Sequence, residues 1–120
     1  MTATSTSRSM DFAQRAARNE EVFRDVNERI EEGAEQHAVT GPLPFHCECS
    51  RATCLETIEI PPGHYEAIVH ERYHFVVIPG HEEPEIERVL RTEAEFLVVE
   101  KIGEARDQID RDHPQQRHRR

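Results

Sequence analysis

The chain has 120 residues, of which 36% are hydrophobic and 32% charged, and its formal net charge is −9. This length fits one domain, and the acidic balance argues against a nucleic-acid-binding module, which needs clustered Lys and Arg to displace counterions. The three cysteines are too few and too close together for a disulfide framework. Since no stretch has the character of a signal peptide core or a membrane span, we expect a cytoplasmic protein with reduced thiols.

The two ends of the chain are polar. Residues 1–9, rich in Ser and Thr, are predicted to form a disordered leader, and residues 104–120, which end in a basic cluster, a partly disordered tail. The ordered part is then an N-terminal helix over 10–38 and a small domain over 43–103. A domain of roughly 60 residues buries little surface and often depends on a metal, disulfides or a partner.

Residues 10–38 are predicted to form one long helix, because they are rich in Ala, Arg and Glu and contain no proline. A heptad stripe runs along it, formed by Phe12, Ala16, Asn19, Phe23, Val26, Ile30, Gly33 and His37. Phe23, Val26 and Ile30 are its convincing apolar part and the candidate partner-binding residues. The stripe either packs on the chain's own sheet or pairs with another helix, from a second copy or a different protein.

After Thr40-Gly41-Pro42, which ends the helix, short apolar segments alternate with turns. Strands are predicted over 55–60, 74–79 and 95–102, and a short helix over 64–72. Residues 85–91 fit a strand or a helix, and as a strand they would form a hairpin with 95–102. The pattern predicts an α+β fold with a long N-terminal helix, a small mainly antiparallel sheet, one short helix and a metal-stapled loop.

All three cysteines lie in "FHCECSRATC", where Cys47, Cys49 and Cys54 form a C-x-C-x4-C pattern. Three thiolates completed by a histidine suit a tetrahedral zinc ion. A regular strand would point Cys47 and Cys49 to opposite faces, so a shared metal requires an irregular loop here. A structural metal, a redox switch and a catalytic thiol are the three roles that such a cluster can have.

The fourth metal ligand is predicted to be His81, which follows the strand 74–79 on a Pro-Gly turn. His64 lies on a matching Pro-Gly turn and His46 directly precedes Cys47, so both remain alternatives. Glu48 and Glu56 are weaker candidates, because carboxylates suit harder cations than those that thiolates select.

Five segments together resemble a group of short actinobacterial proteins: "RNEEVFRDVNERI", "FHCECSRATC", "HYEAIV", "FVVIPGHEEPEIERV" and "FLVVEK". The resemblance covers about residues 18–103. Its F-x-C-x-C, third Cys and P-G-H pattern supports the grouping of the three cysteines with His81, and it implies no particular activity. The cysteine spacing is also similar to that of CDGSH iron–sulfur proteins, but no Asp-Gly-Ser follows Cys54, and Ile58 stands where their pattern has His.

These features predict a small cytoplasmic, non-enzymatic regulatory or adaptor protein with a structural zinc site and an N-terminal helix that binds a protein partner or itself. The alternative is a thiol-based redox sensor that releases zinc when its cysteines are oxidised. An enzyme is less favoured, because no HExxH motif, Gly-rich phosphate loop or Ser-His-Asp order is present. Glu82 and Glu83 lie beside His81, where the base of a zinc hydrolase would be needed, but acidic residues in a solvated turn are the favoured interpretation.

Overall fold

The structure is a computed structural model that describes residues 5–112, with side chains described from residue 15 onward except at residue 17. Helices and strands alternate irregularly along the chain, and the predicted α+β fold class is confirmed. The elements in chain order are α1 (Ser5–Gln36), β1 (Leu43–His46), β2 (Thr57–Ile60), α2 (Pro62–Val69), β3 (His74–Val77), β4 (Glu87–Thr92), β5 (Leu97–Lys101) and α3 (Gly103–Asp112).

The strands form two small antiparallel sheets. One contains β1 and β2, and in the other β5 lies between β3 and β4. β4 and β5 form the hairpin that the sequence left as one of two alternatives. The residues after β1 link the two sheets through backbone hydrogen bonds. The Cys47 N–H donates to the carbonyl of Glu56, beside β2, at 3.0 Å, and the Glu48 N–H donates to the carbonyl of Val76 in β3 at 2.8 Å. The first cysteines therefore lie where the two sheets meet.

The ends of the described chain are more helical than the sequence indicates. α1 begins at Ser5, within the predicted leader 1–9, and α3 occupies part of the predicted tail 104–120. α3 packs against α1, where Ala105 is buried in a small cluster with Ala16 and Ile86. This anchorage explains why so polar a segment is helical. Residues 1–4 and 113–120 lie outside the described residues.

The main core lies between the two sheets, α2 and the inner face of α1. Phe45 and Tyr65 are fully buried and stacked, with ring centroids 4.3 Å apart. The central strand β5 contributes Val98 and Val99, both 0% exposed. All three cysteines belong to the same buried cluster, so the thiols are part of the core as well as candidate ligands.

α1 contacts the rest of the chain through a face on which apolar and polar residues are equally represented among the buried side chains. Of the three predicted partner-binding residues, Phe23 is buried and stacks on His46 with ring centroids 3.9 Å apart, and Ile30 packs against the core. Only Val26 is exposed, at 43%. Phe23 and Ile30 therefore serve internal packing, and the side chain of Phe12 lies outside the described ones. The buried residues of this face are Ala16, Glu20, Phe23, Asn27, Glu31 and Ala34.

A buried ionic triad connects α1 to the three-stranded sheet. Lys101 of β5 is 0% exposed, and its Nζ contacts a carboxylate oxygen of Glu20 in α1 and one of Glu87 in β4. One cation faces two carboxylates, so the fully ionised triad carries an uncompensated negative charge in a dry environment. Burial raises the pKa of Glu20 to about 7, although the attraction of Lys101 opposes this shift.

We expect this triad to make the stability of the fold depend on pH. Because the pKa of Glu20 is about 7 in the folded chain against an ordinary value of 4.5, the folded state binds more protons than the unfolded state between these values. The free energy of unfolding should therefore fall as pH rises from about 5 to 8, with a slope of at most about 1.4 kcal/mol per pH unit. Urea denaturation of wild type and Glu20→Gln across this range measures it. Parallel profiles of the two proteins would contradict the assignment.

Candidate metal centre

The cysteine loop (residues 47–54) follows β1 and carries all three thiols inward. β1 ends at His46, so the alternation of a regular strand no longer governs the side chains of Cys47 and Cys49. Both are fully buried, and Cys54 is 7% exposed. The irregular loop that a shared metal requires is therefore present.

His81 is brought to the cysteine loop by a tight turn after β3. The His81 N–H donates to the Ile78 carbonyl at 2.9 Å across Pro79 and Gly80, and Gly80 has a φ of 95°. Proline followed by a residue with positive φ is the signature of a type II turn, in which glycine is the residue that adopts such a φ without strain. Arg51 of the cysteine loop donates to the Gly80 carbonyl at 2.9 Å and ties the turn to the loop.

The four predicted ligands meet at one point. The Nδ1 atom of His81 lies 3.6 Å from the Sγ atoms of both Cys47 and Cys54, and one donor atom of each of the four residues lies within 4.8 Å of all the others. A tetrahedral zinc ion with Zn–S distances of about 2.3 Å and Zn–N distances of about 2.0 Å separates its S and N donors by about 3.5 Å. The arrangement can therefore hold one metal ion.

The thiols are electrostatically coupled to one another. The hydrogen bond from Cys47 lowers the pKa of Cys49 to about 4, whereas the same hydrogen bond together with burial raises the pKa of Cys47. Burial also raises the pKa of Cys54. The cluster by itself thus favours one thiolate stabilised by its neighbours, and a bound divalent cation would allow all three to ionise.

A backbone donor also points at the cluster. The Ile78 N–H lies 3.3 Å from Cys47 Sγ, which is within the range of an N–H···S hydrogen bond. Such bonds stabilise a thiolate in a metal site and fix its orientation. The turn that follows β3 therefore contributes both the histidine ligand and a supporting donor.

The alternative ligands have other contacts. The His46 ring nitrogens lie 2.5 and 3.0 Å from the carbonyl oxygens of Cys47 and Cys54, so this ring supports the backbone of the cysteine loop. His64 is exposed on α2 and lies edge-on to Phe96. Glu56 is exposed, and Glu48 is buried but bonded to Arg24. Within the described part of the chain, these residues lie outside the Cys/His cluster.

The sequence did not predict the residues that bind the cysteine loop on the side opposite the thiols. The Glu48 carboxylate, between two of the ligands, accepts hydrogen bonds from Arg24 and Asn27 of α1 and from Tyr65 of α2. Arg24 and Asn27 resemble solvent-facing residues of a polar helix, and their partner lies more than 20 positions away. The one sequence feature that indicates such a support is the cysteine spacing, because it places the charged Glu48 between two ligands that must be buried.

No protein-family model, curated protein or solved structure matches the chain. Between residues 5 and 112, none of the helices has the length and apolar character needed to cross a bilayer. The role of the site must therefore be inferred from its own donor atoms and their geometry.

Proposed function

We propose that the protein is a small non-enzymatic regulatory or adaptor module built around a structural zinc ion bound by Cys47, Cys49, Cys54 and His81. The observation that carries the proposal is the convergence of four donors at the spacing of a tetrahedral site. Four protein ligands fill the coordination sphere of zinc, whereas catalytic zinc sites use three and keep one position for water or substrate. The donor set thus favours a structural role.

The chemistry of the donors favours zinc over other metals. Thiolate and imidazole ligands in a tetrahedral arrangement suit Zn²⁺, whereas Mg²⁺ and Ca²⁺ prefer oxygen ligands. An iron–sulfur cluster with several iron atoms spreads its ligand atoms more widely than a single ion does. The confinement of all four donor atoms within 4.8 Å of one another favours a single ion.

The ion would stabilise the junction of the two sheets. Three ligands come from the loop between β1 and β2, and the fourth comes from the turn after β3. One ion bound by these residues connects the sheets directly, with ligands up to 34 positions apart. Such cross-linking is what small domains with limited cores gain from a structural metal.

The adaptor role concerns the outer surface of α1. Among the predicted partner-binding residues, Phe23 and Ile30 pack internally, so contact with a protein partner or a second copy would fall to Val26, which is 43% exposed. Val22, one turn earlier, is 58% exposed and extends the apolar strip on the same side. Among the side chains of α1 that the structure describes, from residue 15 onward, this strip is the exposed apolar surface available for association.

Native mass spectrometry of the protein purified under reducing conditions, as in the cytoplasm, tests the metal assignment. We expect one zinc ion per chain, lost on treatment with a strong chelator together with a large drop in thermal stability. The same spectrum reports whether the chain is a monomer or a dimer. A folded, metal-free protein that takes up no added zinc would overturn the proposal.

A second candidate function is a thiol-based redox sensor, which the mutual proximity of the three thiols favours. Two zinc-bound thiolates would lose two electrons to form a disulfide, hydrogen peroxide would accept these electrons together with two protons from solvent and become two water molecules, and zinc would be released. His81 is only half-buried, so the oxidant can approach from its side. Zinc release by mild peroxide, reversed by a thiol reductant, would support this role, and zinc that stays bound would exclude it.

A further inference from the structure

A fully buried carboxylate separates two of the candidate metal ligands. Glu48 is 0% exposed, and its Oε2 atom accepts from Arg24 Nε and Asn27 Nδ2 at 3.0 Å each and from the Tyr65 hydroxyl at 2.5 Å. Its Oε1 atom accepts from Arg24 Nη2 and the Val76 N–H at 3.1 Å each. All of these donors come from α1, α2 and β3. Residues 47–49 thus carry thiols on one side and, on the opposite side, the Glu48 carboxylate that binds α1, α2 and β3.

α1 also binds the backbone on both sides of Glu48. The Asn27 side chain accepts from the His46 N–H at 2.6 Å and donates to the His46 carbonyl at 2.8 Å. Asn19 donates to the Ser50 carbonyl at 2.7 Å. Three polar side chains of α1 therefore hold residues 46–50, the segment that contains Cys47 and Cys49.

These polar contacts tolerate little displacement. Arg24 also donates to the His74 carbonyl at 2.6 Å and lies over the Phe75 ring, 4.0 Å from its centroid, and the Glu48 carboxylate is the hydrogen-bonded counter-charge that this guanidinium meets inside the fold. A buried charge or amide that loses its partner is destabilised far more than an apolar contact that loosens. Displacement of residues 19–27 from the loop would therefore leave several buried polar groups without partners at once.

We infer that metal binding at the cysteine loop and docking of α1 are coupled through Glu48, so that each strengthens the other. The metal fixes the backbone of residues 47–49 and with it the position of the carboxylate that receives Arg24 and Asn27. Docked α1 in turn holds the loop in the conformation that binds the metal. Coupling between two binding events is reciprocal, so α1 acts as a positioning element for the metal site, and removal of the metal favours its release. This inference rests on the proposed zinc site.

Zinc affinity of α1-contact variants provides the first test. We expect Glu48→Gln and Asn27→Ala, which alter no ligand, to weaken zinc binding at least tenfold in competition with a chromophoric chelator. Val69→Ala is the matched control, because it truncates a buried side chain of α2 that takes no part in the hydrogen bonds of Glu48, and it should change the affinity less than twofold. Cobalt(II) spectra of the variants should keep the bands of a tetrahedral thiolate site, which shows that the ligands are unchanged.

Hydrogen–deuterium exchange of the zinc-loaded and chelated wild-type protein provides the second test. Removal of zinc should increase exchange in residues 19–31 and 46–54 more than in residues 97–101 of β5. If the whole chain loses protection, folding and zinc binding are one process, and any destabilising substitution weakens zinc binding. The coupling through Glu48 then requires that Glu48→Gln and Asn27→Ala weaken binding more than the buried control does, and equal weakening would overturn it. If wild type binds one zinc ion per chain and both variants keep its affinity, the coupling is wrong and the zinc site stands. If wild type binds no zinc, the zinc site and the coupling are both wrong.

Discussion

Replacing Cys47 by Ser is expected to abolish tight zinc binding and to lower the free energy of unfolding by at least about 3 kcal/mol. Structural zinc contributes roughly 10–16 kcal/mol of apparent binding energy in small zinc peptides at neutral pH, and the total stability of a domain is only about 5–15 kcal/mol. Cys47 is fully buried and lies 3.6 Å from His81 Nδ1, so its loss opens the site from the core side. Denaturant titration of zinc-loaded proteins and metal analysis measure the effect.

Chelated wild type separates the contribution of the metal from that of the side chain. If Cys47 acts through zinc, Cys47→Ser should lose much less stability relative to metal-free wild type than relative to zinc-loaded wild type, and the remaining loss of about 1–3 kcal/mol is the cost of burying a hydroxyl in place of an apolar thiol. Thr53→Ala is the matched control, since this exposed residue lies in the same loop and outside the ligand set. A variant that loses as much stability without zinc as with it would assign Cys47 a packing role only.

The candidate site could be predicted from the sequence because its signals are local. Three cysteines in eight positions fix one side of the site, and Pro79-Gly80 before His81 indicates a rigid turn that directs the histidine. The interruption needed between Cys47 and Cys49 followed from the alternation of side chains in strands. Each of these arguments concerns residues close in sequence, and the single long-range step joined two segments that were both rich in ligand types.

The face of α1 that contacts the rest of the chain could not be predicted from the sequence, because hydrophobic periodicity identifies buried apolar residues and gives no information on buried polar contacts. The residue types alone place three residues on the solvent side of an amphipathic helix, namely Glu20, Arg24 and Asn27. In the structure their side chains face the rest of the domain. Their partners lie far away in sequence, at Glu48 and Lys101. A polar helix face becomes an interior face only when the rest of the fold supplies opposite charges, and that information is distributed over the whole chain.

The division of the strands into two sheets and the presence of α3 were missed for a related reason. Strands of four residues, such as β1 and β2, show where an extended segment lies but not which segment it pairs with. α3 has few buried apolar residues, with Ala105 buried and Ile109 partly buried. Its periodic signal is therefore weak, and its contacts with α1 supply the stability that its composition does not indicate.

Replacing Lys101 by Met is expected to destabilise the fold by about 3–5 kcal/mol, because it leaves Glu20 and Glu87 buried without their cation. At least one carboxyl group must then be protonated or drawn toward water, so the loss should grow as pH rises. The triple variant Glu20→Gln/Glu87→Gln/Lys101→Met removes all three charges and should recover a large part of the loss. It also keeps an acceptor at residue 87 for the Glu83 N–H, which lies 2.8 Å from Glu87 Oε2.

Urea denaturation at pH 6 and 8 distinguishes the two variants. If Lys101→Met lowers the free energy of unfolding by less than about 1 kcal/mol at both pH values, water reaches the triad and the prediction is wrong. Because the triad joins α1 to β4 and β5 while Glu48 joins it to the cysteine loop, zinc affinity in Lys101→Met further shows whether the two attachments of α1 act as one unit.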